Sequence, residues 1–151
     1  MKKFYITTPI YYVNDEPHIG HAYTTILADV INRYYKGIGY HTFFLTGTDE
    51  HGLKVQQAAQ KNKISPQIHV NKHVEAFQKI WKKLNIEYDY FIRTTDANHI
   101  KKVQYALQYL YDKGEIYLDE YEGLYSVSEE RFITQKEADE GDFREIKKIK
   151  E

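Results

Sequence analysis

Two histidines three positions apart, His18 and His21, stand with Gly20 between them where a loop stiffened by Pro9 and Pro17 gives way to a long amphipathic pattern. A helix start offers free N–H groups and the positive end of a dipole, which suit phosphate. Two imidazoles there add directed donors, and Gly20, lacking a Cβ, lets a ligand approach the backbone. Such groups can hold negative charge developing on a reacting phosphate without any covalent nucleophile. That fits adenylyl transfer, in which a carboxylate attacks the α-phosphorus and positioning does most of the work. Asp49, at the polar tip of a second apolar run, is placed to receive an ammonium group. Other readings stay open. A His-x-x-His pair is also a metal half-site, with Asp49 or His51 as the remaining candidates. The histidines could simply cap a helix, and Asp49 could be a helix cap too. His51 and Gly52 read as local structure, and one of the adjacent residues Tyr11 and Tyr12 should line the site.

The elements that position these residues follow from periodicity. Phe4–Thr8 reads as a short strand buried on both faces. Ile26, Leu27, Val30, Ile31 and Tyr34 recur at helical spacing, so residues 20–36 read as a helix stopped by Gly37 and Gly39. His41–Thr46 is a second strand ending in the polar tip Gly47–Gly52. A strand–helix–strand unit has a right-handed crossover, which puts both polar tips on one edge of a parallel sheet. Ligands of open α/β sheets sit outside that edge. Lys54–Lys61 reads as a helix. Ser65-Pro66 starts another, with Ile68, Val70, Val74, Phe77, Ile80, Trp81 and Leu84 as its apolar face. On that helix His69 and His73 read as part of a solvated face, as does the basic run Lys79, Lys82 and Lys83. Tyr90–Arg93 is a short strand. Asp96 caps a helix lined by Ile100, Val103, Leu107, Leu110 and Tyr111 and closed by Gly114. Ile116–Leu118 and Gly123–Val127 suggest antiparallel strands, Thr134–Asp139 a short helix, and Arg144–Glu151 a charged tail. The shift from helices to strands near Glu115 is the one candidate boundary.

Composition excludes several classes. The 151 residues carry a net charge of −1, so no global electrostatic case exists for nucleic-acid binding. There is no cysteine, hence no disulfide and no thiolate zinc site. No signal-like region follows Met1-Lys2-Lys3 and no apolar run could span a bilayer, so a cytoplasmic location with no membrane partner is expected.

Thr7-Thr8-Pro9-Ile10-Tyr11-Tyr12-Val13-Asn14, followed by Asp15-Glu16-Pro17-His18-Ile19-Gly20-His21 and then by Leu45-Thr46-Gly47-Thr48-Asp49-Glu50-His51-Gly52, closely resembles the methionyl-tRNA synthetase family of class I aminoacyl-tRNA synthetases. The resemblance continues through Tyr121–Ser128 and covers nearly the whole chain. It implies an α/β fold: the N-terminal part of a Rossmann-like catalytic domain over residues 1–114, with parallel strands flanked by helices. The start of a β-containing connective-peptide insertion would follow over 115–151. It implies ATP with Mg²⁺, methionine and tRNA(Met) as substrates. His18 and His21 would be catalytic, and His18, Gly20 and His21 would meet ATP. Asp49, with the backbone carbonyl of Ile10, would bind the methionine ammonium, and Tyr12 would form part of its side-chain pocket. Two departures stand out. Where many members begin a zinc knuckle with Cys-x-x-Cys, this chain has Ser126 and Glu129, so no zinc is expected. The family's second signature, Lys-Met-Ser-Lys-Ser, is absent, as is the second half of the nucleotide fold. This chain is therefore expected to be inactive alone, to expose an apolar face meant for the C-terminal half of the catalytic domain, and to self-associate or take a partner through it. A stand-alone nucleotidyltransferase resembling phosphopantetheine adenylyltransferase, which shares a His-x-Gly-His motif, and a non-catalytic ligand-binding fragment are the alternatives.

Overall fold

The computed structural model describes residues 2–143 and 145–150. They form two compact units, one running to Tyr105 and one from Ala106 onward. The first contains β1 (Lys3–Thr7), β2 (Tyr11–Tyr12), α1 (Ile19–Gly37), β3 (His41–Asp49), α2 (Leu53–Lys61), α3 (Pro66–Lys83), β4 (Tyr90–Arg93) and the start of α4 (Ala97–Asp112). All its strand pairings are parallel and all involve β3. β1 pairs along its first half, from Lys3↔His41 to Thr7↔Leu45. β2 then pairs Tyr11↔Thr48 and Tyr12↔Asp49, while β4 pairs with Leu45 to Thr48. The parallel α/β architecture expected from the strand–helix–strand order is thus present. β3 runs further than expected: Gly47, Thr48 and Asp49 are strand residues rather than a loop tip.

The core packs Phe44 of β3 against Val70, Val74, Phe77 and Trp81 of α3, with Tyr11, Val13 and Val55. Tyr11 stacks on Phe77, with ring centroids 5.7 Å apart. Burying such rings and branched side chains supplies ~1.5–3 kcal/mol each.

Two expectations are corrected, and the apolar repeat of α1 acquires a side. β1 is not buried on both faces: its residues alternate, and Tyr5 is exposed. In α1 the apolar repeat faces outward, with Ile26, Leu27, Val30 and Tyr34 exposed, while Thr25, Ala28, Asp29 and Asn32 are buried. The period gives a helix without saying which side is buried, and polar groups can be buried where they find partners; Thr25 and Asp29 do, whereas Asn32 Oδ1 has none among the described residues. The Thr25 hydroxyl meets the Tyr11 hydroxyl at 2.9 Å, and Asp29 accepts from the Glu87 N–H at 2.9 Å and from Arg33 at 2.7 Å.

The second correction concerns α3. His69 and His73 are buried rather than solvated, and Ile68 is exposed. Ser65 caps this helix and Pro66 opens it. Each ring finds a backbone carbonyl: His69 Nε2 donates to Val13 O at 3.0 Å, and His73 Nδ1 donates to His69 O at 2.9 Å. Burial, then the neighbouring His73 and Lys72, lower the His69 pKa against the opposing pull of the Val13 bond. His69 is therefore neutral at neutral pH and clamps the loop ahead of α1. Replacing it by leucine should cost about 1–3 kcal/mol, because a buried carbonyl loses its donor. A base whose folded pKa is depressed contributes stability above its unfolded value, about 6.5, and loses it as pH falls through the folded value. Urea melts should therefore show the gap between wild type and His69→Leu shrinking in mild acid.

The second unit centres on β5 (Glu122–Ser126), flanked antiparallel by β6 (Arg131–Ile133) and β7 (Ile146–Lys150), with α5 (Gln135–Glu140) between them. Residues 116–118 form no strand, and Tyr117 and Leu118 are exposed. The second partner of β5 comes instead from the charged tail, where Lys148 pairs with Glu122. Charge along an edge strand discourages further pairing. Arg144 and Glu151, the ends of that tail, lie outside the described residues. Thr134 and Glu137 form a reciprocal cap on α5. The Thr134 backbone N–H, the Arg131 guanidinium and the Thr134 hydroxyl bring the Glu137 carboxyl down to about 2.

Candidate active site

The site grows from the carboxyl ends of β1 and β3. Beyond Thr7 the chain stays beside β3: Thr8 N–H donates to Leu45 O at 3.1 Å, and the hydroxyls of Thr8 and Thr46 meet at 2.7 Å. The loop therefore runs along the strand until β2 places Tyr12 beside Asp49. Tyr11 points into the core and Tyr12 is exposed, as expected for neighbours in an extended segment. Val13 is fully buried and held by His69.

His18 caps α1 rather than lying inside it. The Gly20 N–H donates to His18 Nδ1 at 3.1 Å, and the His18 N–H donates to His21 Nδ1, also at 3.1 Å. This is a capping box built from two imidazoles, whose rings stack with centroids 3.8 Å apart. Since both Nδ1 atoms accept, each neutral ring carries its proton on Nε2. Both rings thus present an Nε2–H donor away from the helix end. Burial, then the proximity of His18, lower the His21 pKa, keeping that ring neutral. Gly20 has a further role beyond ligand approach. A Cβ there would lie 3.0 Å from His18 Cε1, so glycine leaves room for the capping ring.

A cleft of about 430 Å³ is lined by Ile10, Tyr11, Tyr12, Asn14, Asp15, Glu16, His18 and His21. A second hollow of about 290 Å³ is lined by Ile10, Asp49, His51, Thr94, His99, Ile100, Val103 and Gln104. Ile10 lines both, so the donor side and the carboxylate side meet at one residue. Of the motif residues, Pro17 is half-buried and Ile19 is exposed; neither lines these hollows. Asp49 does not cap α2, whose N-cap is Gly52. His51, read as local structure, reaches the second hollow.

Sequence reasoning passed over a buried ionic cluster directly behind Asp49. The Glu50 side chain is fully buried. Its carboxylate accepts from Arg93 Nε and Nη2 at 2.7 and 2.8 Å, from Thr48 Oγ1 at 2.7 Å and from Thr95 Oγ1 at 2.6 Å. Burial pushes the Glu50 pKa upward, but the Arg93, Thr95 and Thr48 bonds outweigh it and hold the carboxyl below its ordinary value. The only signal was positional: Arg93 ends the third parallel strand and Thr95 lies just beyond it, at the same sheet edge as the other two tips.

The family model for tRNA synthetases class I (M) matches residues 4–141. The chain belongs to that family. It is 55% identical over 135 residues to a methionine–tRNA ligase of Mycoplasma pneumoniae, covering 89% of this chain and 26% of that protein. It is 55% identical over 141 residues to one of Deinococcus radiodurans, covering 93% and 21%. A solved Mycobacterium tuberculosis methionyl-tRNA synthetase in complex with methionyl-adenylate superposes with a TM-score of 0.91 at 40% identity, over the whole of this chain and 31% of that one. The chain therefore spans about a fifth to a third of the length of these relatives. Its parallel sheet flanked by helices is the class I synthetase fold, and the family, rather than the stand-alone nucleotidyltransferases, accounts for its His-x-Gly-His motif.

Ser126, one of the two positions that the resemblance matches to a Cys-x-x-Cys, is wholly buried. Its Oγ accepts from the Glu129 N–H at 3.3 Å and meets the Ser128 hydroxyl at 3.2 Å. A hydroxyl there organises the turn by hydrogen bonding. Among the described residues no group of histidine, aspartate and glutamate could hold a metal ion. No helix among them is long and apolar enough to cross a membrane.

Proposed function

We propose that this chain is the N-terminal part of the catalytic domain of a methionine–tRNA ligase. Such an enzyme activates methionine with Mg²⁺-ATP to methionyl-adenylate, then transfers methionine to tRNA(Met). The observation that carries this reading is the β2–β3 register. It sets Tyr12 beside Asp49 while Ile10 joins the Asp49 hollow to the cleft of His18 and His21. A carboxylate for an ammonium group and two Nε2–H donors for phosphate oxygens then lie in two hollows that meet at Ile10, an arrangement that suits adenylate formation. In this reading His18, Gly20 and His21 bind ATP, and the two imidazoles stabilise charge on the α-phosphate and departing pyrophosphate. Asp49 and the Ile10 carbonyl hold the ammonium, and Tyr12 borders the methionine side chain. Residues 1–114 belong to the Rossmann-like domain and 115–151 begin the connective-peptide insertion.

The remainder of the synthetase chain, in this proposal, covers the outward face of α1, where Tyr23, Leu27, Val30 and Tyr34 form an exposed stripe. Beside them β1 is paired only with β3 among the described residues. Relatives four to five times longer supply a covering segment of that size.

Methionine-dependent pyrophosphate exchange tests the reading. The purified chain should give none, since it spans only about a fifth to a third of the length of its relatives. Adding the separately produced remainder of the catalytic domain should restore exchange with methionine and not with leucine. Robust exchange by the chain alone, or no methionine-dependent exchange after complementation, would overturn it.

A further inference from the structure

We propose that Thr94 is a positioning residue for Asp49: its hydroxyl fixes one carboxylate oxygen so that the other faces the ammonium group of the bound amino acid. This rests on the ammonium-binding role proposed for Asp49.

Thr94 follows β4, and its N–H donates to Thr48 O at 3.2 Å, which continues the parallel ladder one step past the strand. The side chains alternate there. Arg93 and Thr95 both reach the buried Glu50 carboxylate, while Thr94 between them turns to the other side. The Glu50 N–H donates to Thr94 Oγ1 at 2.8 Å. A hydroxyl that accepts from an N–H still has its own proton to give. The acceptor in reach is Asp49 Oδ1, at 3.4 Å. The His51 N–H donates to that same oxygen at 3.3 Å. Oδ1 thus has two donors, whereas Oδ2 has no protein partner among the described contacts.

Both bonds to Oδ1 are long, as bonds in unliganded sites often are before a ligand tightens them. Their consequence is orientation. A free aspartate must lose rotamer freedom when it binds an ammonium group, and that loss weakens binding. Here Thr94, with the His51 N–H, restricts that freedom beforehand. Thr94 is itself immobilised from both neighbours by the Glu50 cluster, so the ion pair behind the site acts on methionine through a threonine. Thr94 and Asp49 also both line the 290 Å³ hollow, so the effect is exerted at the ligand surface.

The test is a double-mutant cycle on the 151-residue chain, with methionine binding followed by NMR shift titration and N-acetylmethionine as the control without a charged ammonium. Thr94→Val keeps the shape and removes the hydroxyl. It should weaken methionine binding on the order of five-fold and leave N-acetylmethionine unchanged. Thr94→Ser should restore affinity. In an Asp49→Asn background, Thr94→Val should add nothing, because a residue acting through Asp49 has nothing left to position. Additive effects of the two changes, or unchanged affinity in Thr94→Val, would overturn the proposal. If wild type binds methionine no better than N-acetylmethionine, the ammonium reading of Asp49 itself fails. Positioning is then judged separately from the Asp49 Hα–Hβ couplings. One fixed rotamer in wild type and Thr94→Ser that averages in Thr94→Val supports it, and identical couplings in all three refute it. Matching amide spectra confirm that each variant is folded.

Discussion

Gly47→Ala is expected to abolish folding of the parallel sheet. Gly47 lies in β3 opposite Ile92 of β4, and a Cβ built on it would collide with the Ile92 carbonyl oxygen and carbon as well as with Cγ2. Side-chain overpacking usually costs about 1–3 kcal/mol because rotamers can shift. Here the obstacle is main chain, and the pairs on either side, Thr46↔Phe91 and Thr48↔Arg93, keep the two strands from separating locally. Against a domain stability of about 5–15 kcal/mol, a cost above the top of the overpacking range removes most of a stability at the low end of that span. β4 also delivers Arg93 to Glu50, so any rearrangement that admits the methyl group disconnects the ionic cluster too. Gly37→Ala is the control, since its Cβ would meet nothing. Far-UV circular dichroism and urea melts of both variants decide the matter. A Gly47→Ala protein that melts like wild type would show that β3 and β4 are not held at this distance.

The site was readable where chemistry and chain order coincide. His18, Gly20 and His21 follow a strand and a loop and open a helix, which is enough to place donors at a sheet edge. Asp49 follows the next parallel strand, so topology alone brings it to the same edge. What remained hidden depends on which side of an element faces the core. Leu27, Val30 and Tyr34 recur with helical period, but a period has no inside or outside. The buried side of α1 turned out to be Thr25, Asp29 and Asn32. His69 and His73 look solvated in a helix rich in polar residues, and only the nearby carbonyls of Val13 and His69 make their burial affordable. Glu50 sits in a run that reads as a polar tip, and nothing local says that Arg93, 43 residues away, completes it. The strand at Ile146–Lys150 was missed for a similar reason. Its lysines suggest a solvated tail, and its partner Glu122 lies far earlier in the chain.

Glu50→Gln should be the most damaging change that leaves the backbone untouched. The amide keeps the volume but loses the charge that Arg93 meets through two bonds, and its NH₂ group would face donors rather than acceptors. Removing one partner of a buried ion pair costs about 3–5 kcal/mol, since the remaining charge is left uncompensated. The effect also has a defined pH dependence. The folded carboxyl lies below its ordinary value because the bonds from Arg93, Thr95 and Thr48 outweigh the penalty of burial. An acid whose folded pKa is depressed contributes stability in full above its unfolded value, about 4.3, and loses it as pH falls through the folded value. Thermal melts between neutral pH and pH 3 should therefore show wild type and Glu50→Gln far apart at neutrality and converging in acid. Parallel curves would mean that the charge contributes nothing and that the cluster is held by shape alone. Arg93→Lys separates those cases further. A lysine keeps the charge but cannot give two parallel bonds to one carboxylate, so it should recover part of the acid dependence and little of the stability at neutral pH. A larger loss from wild type to Arg93→Lys than from Arg93→Lys to Glu50→Gln would then assign the stabilisation to paired geometry first and to charge second. That is the property a support behind Asp49 needs, because two parallel bonds fix a direction and a point charge does not.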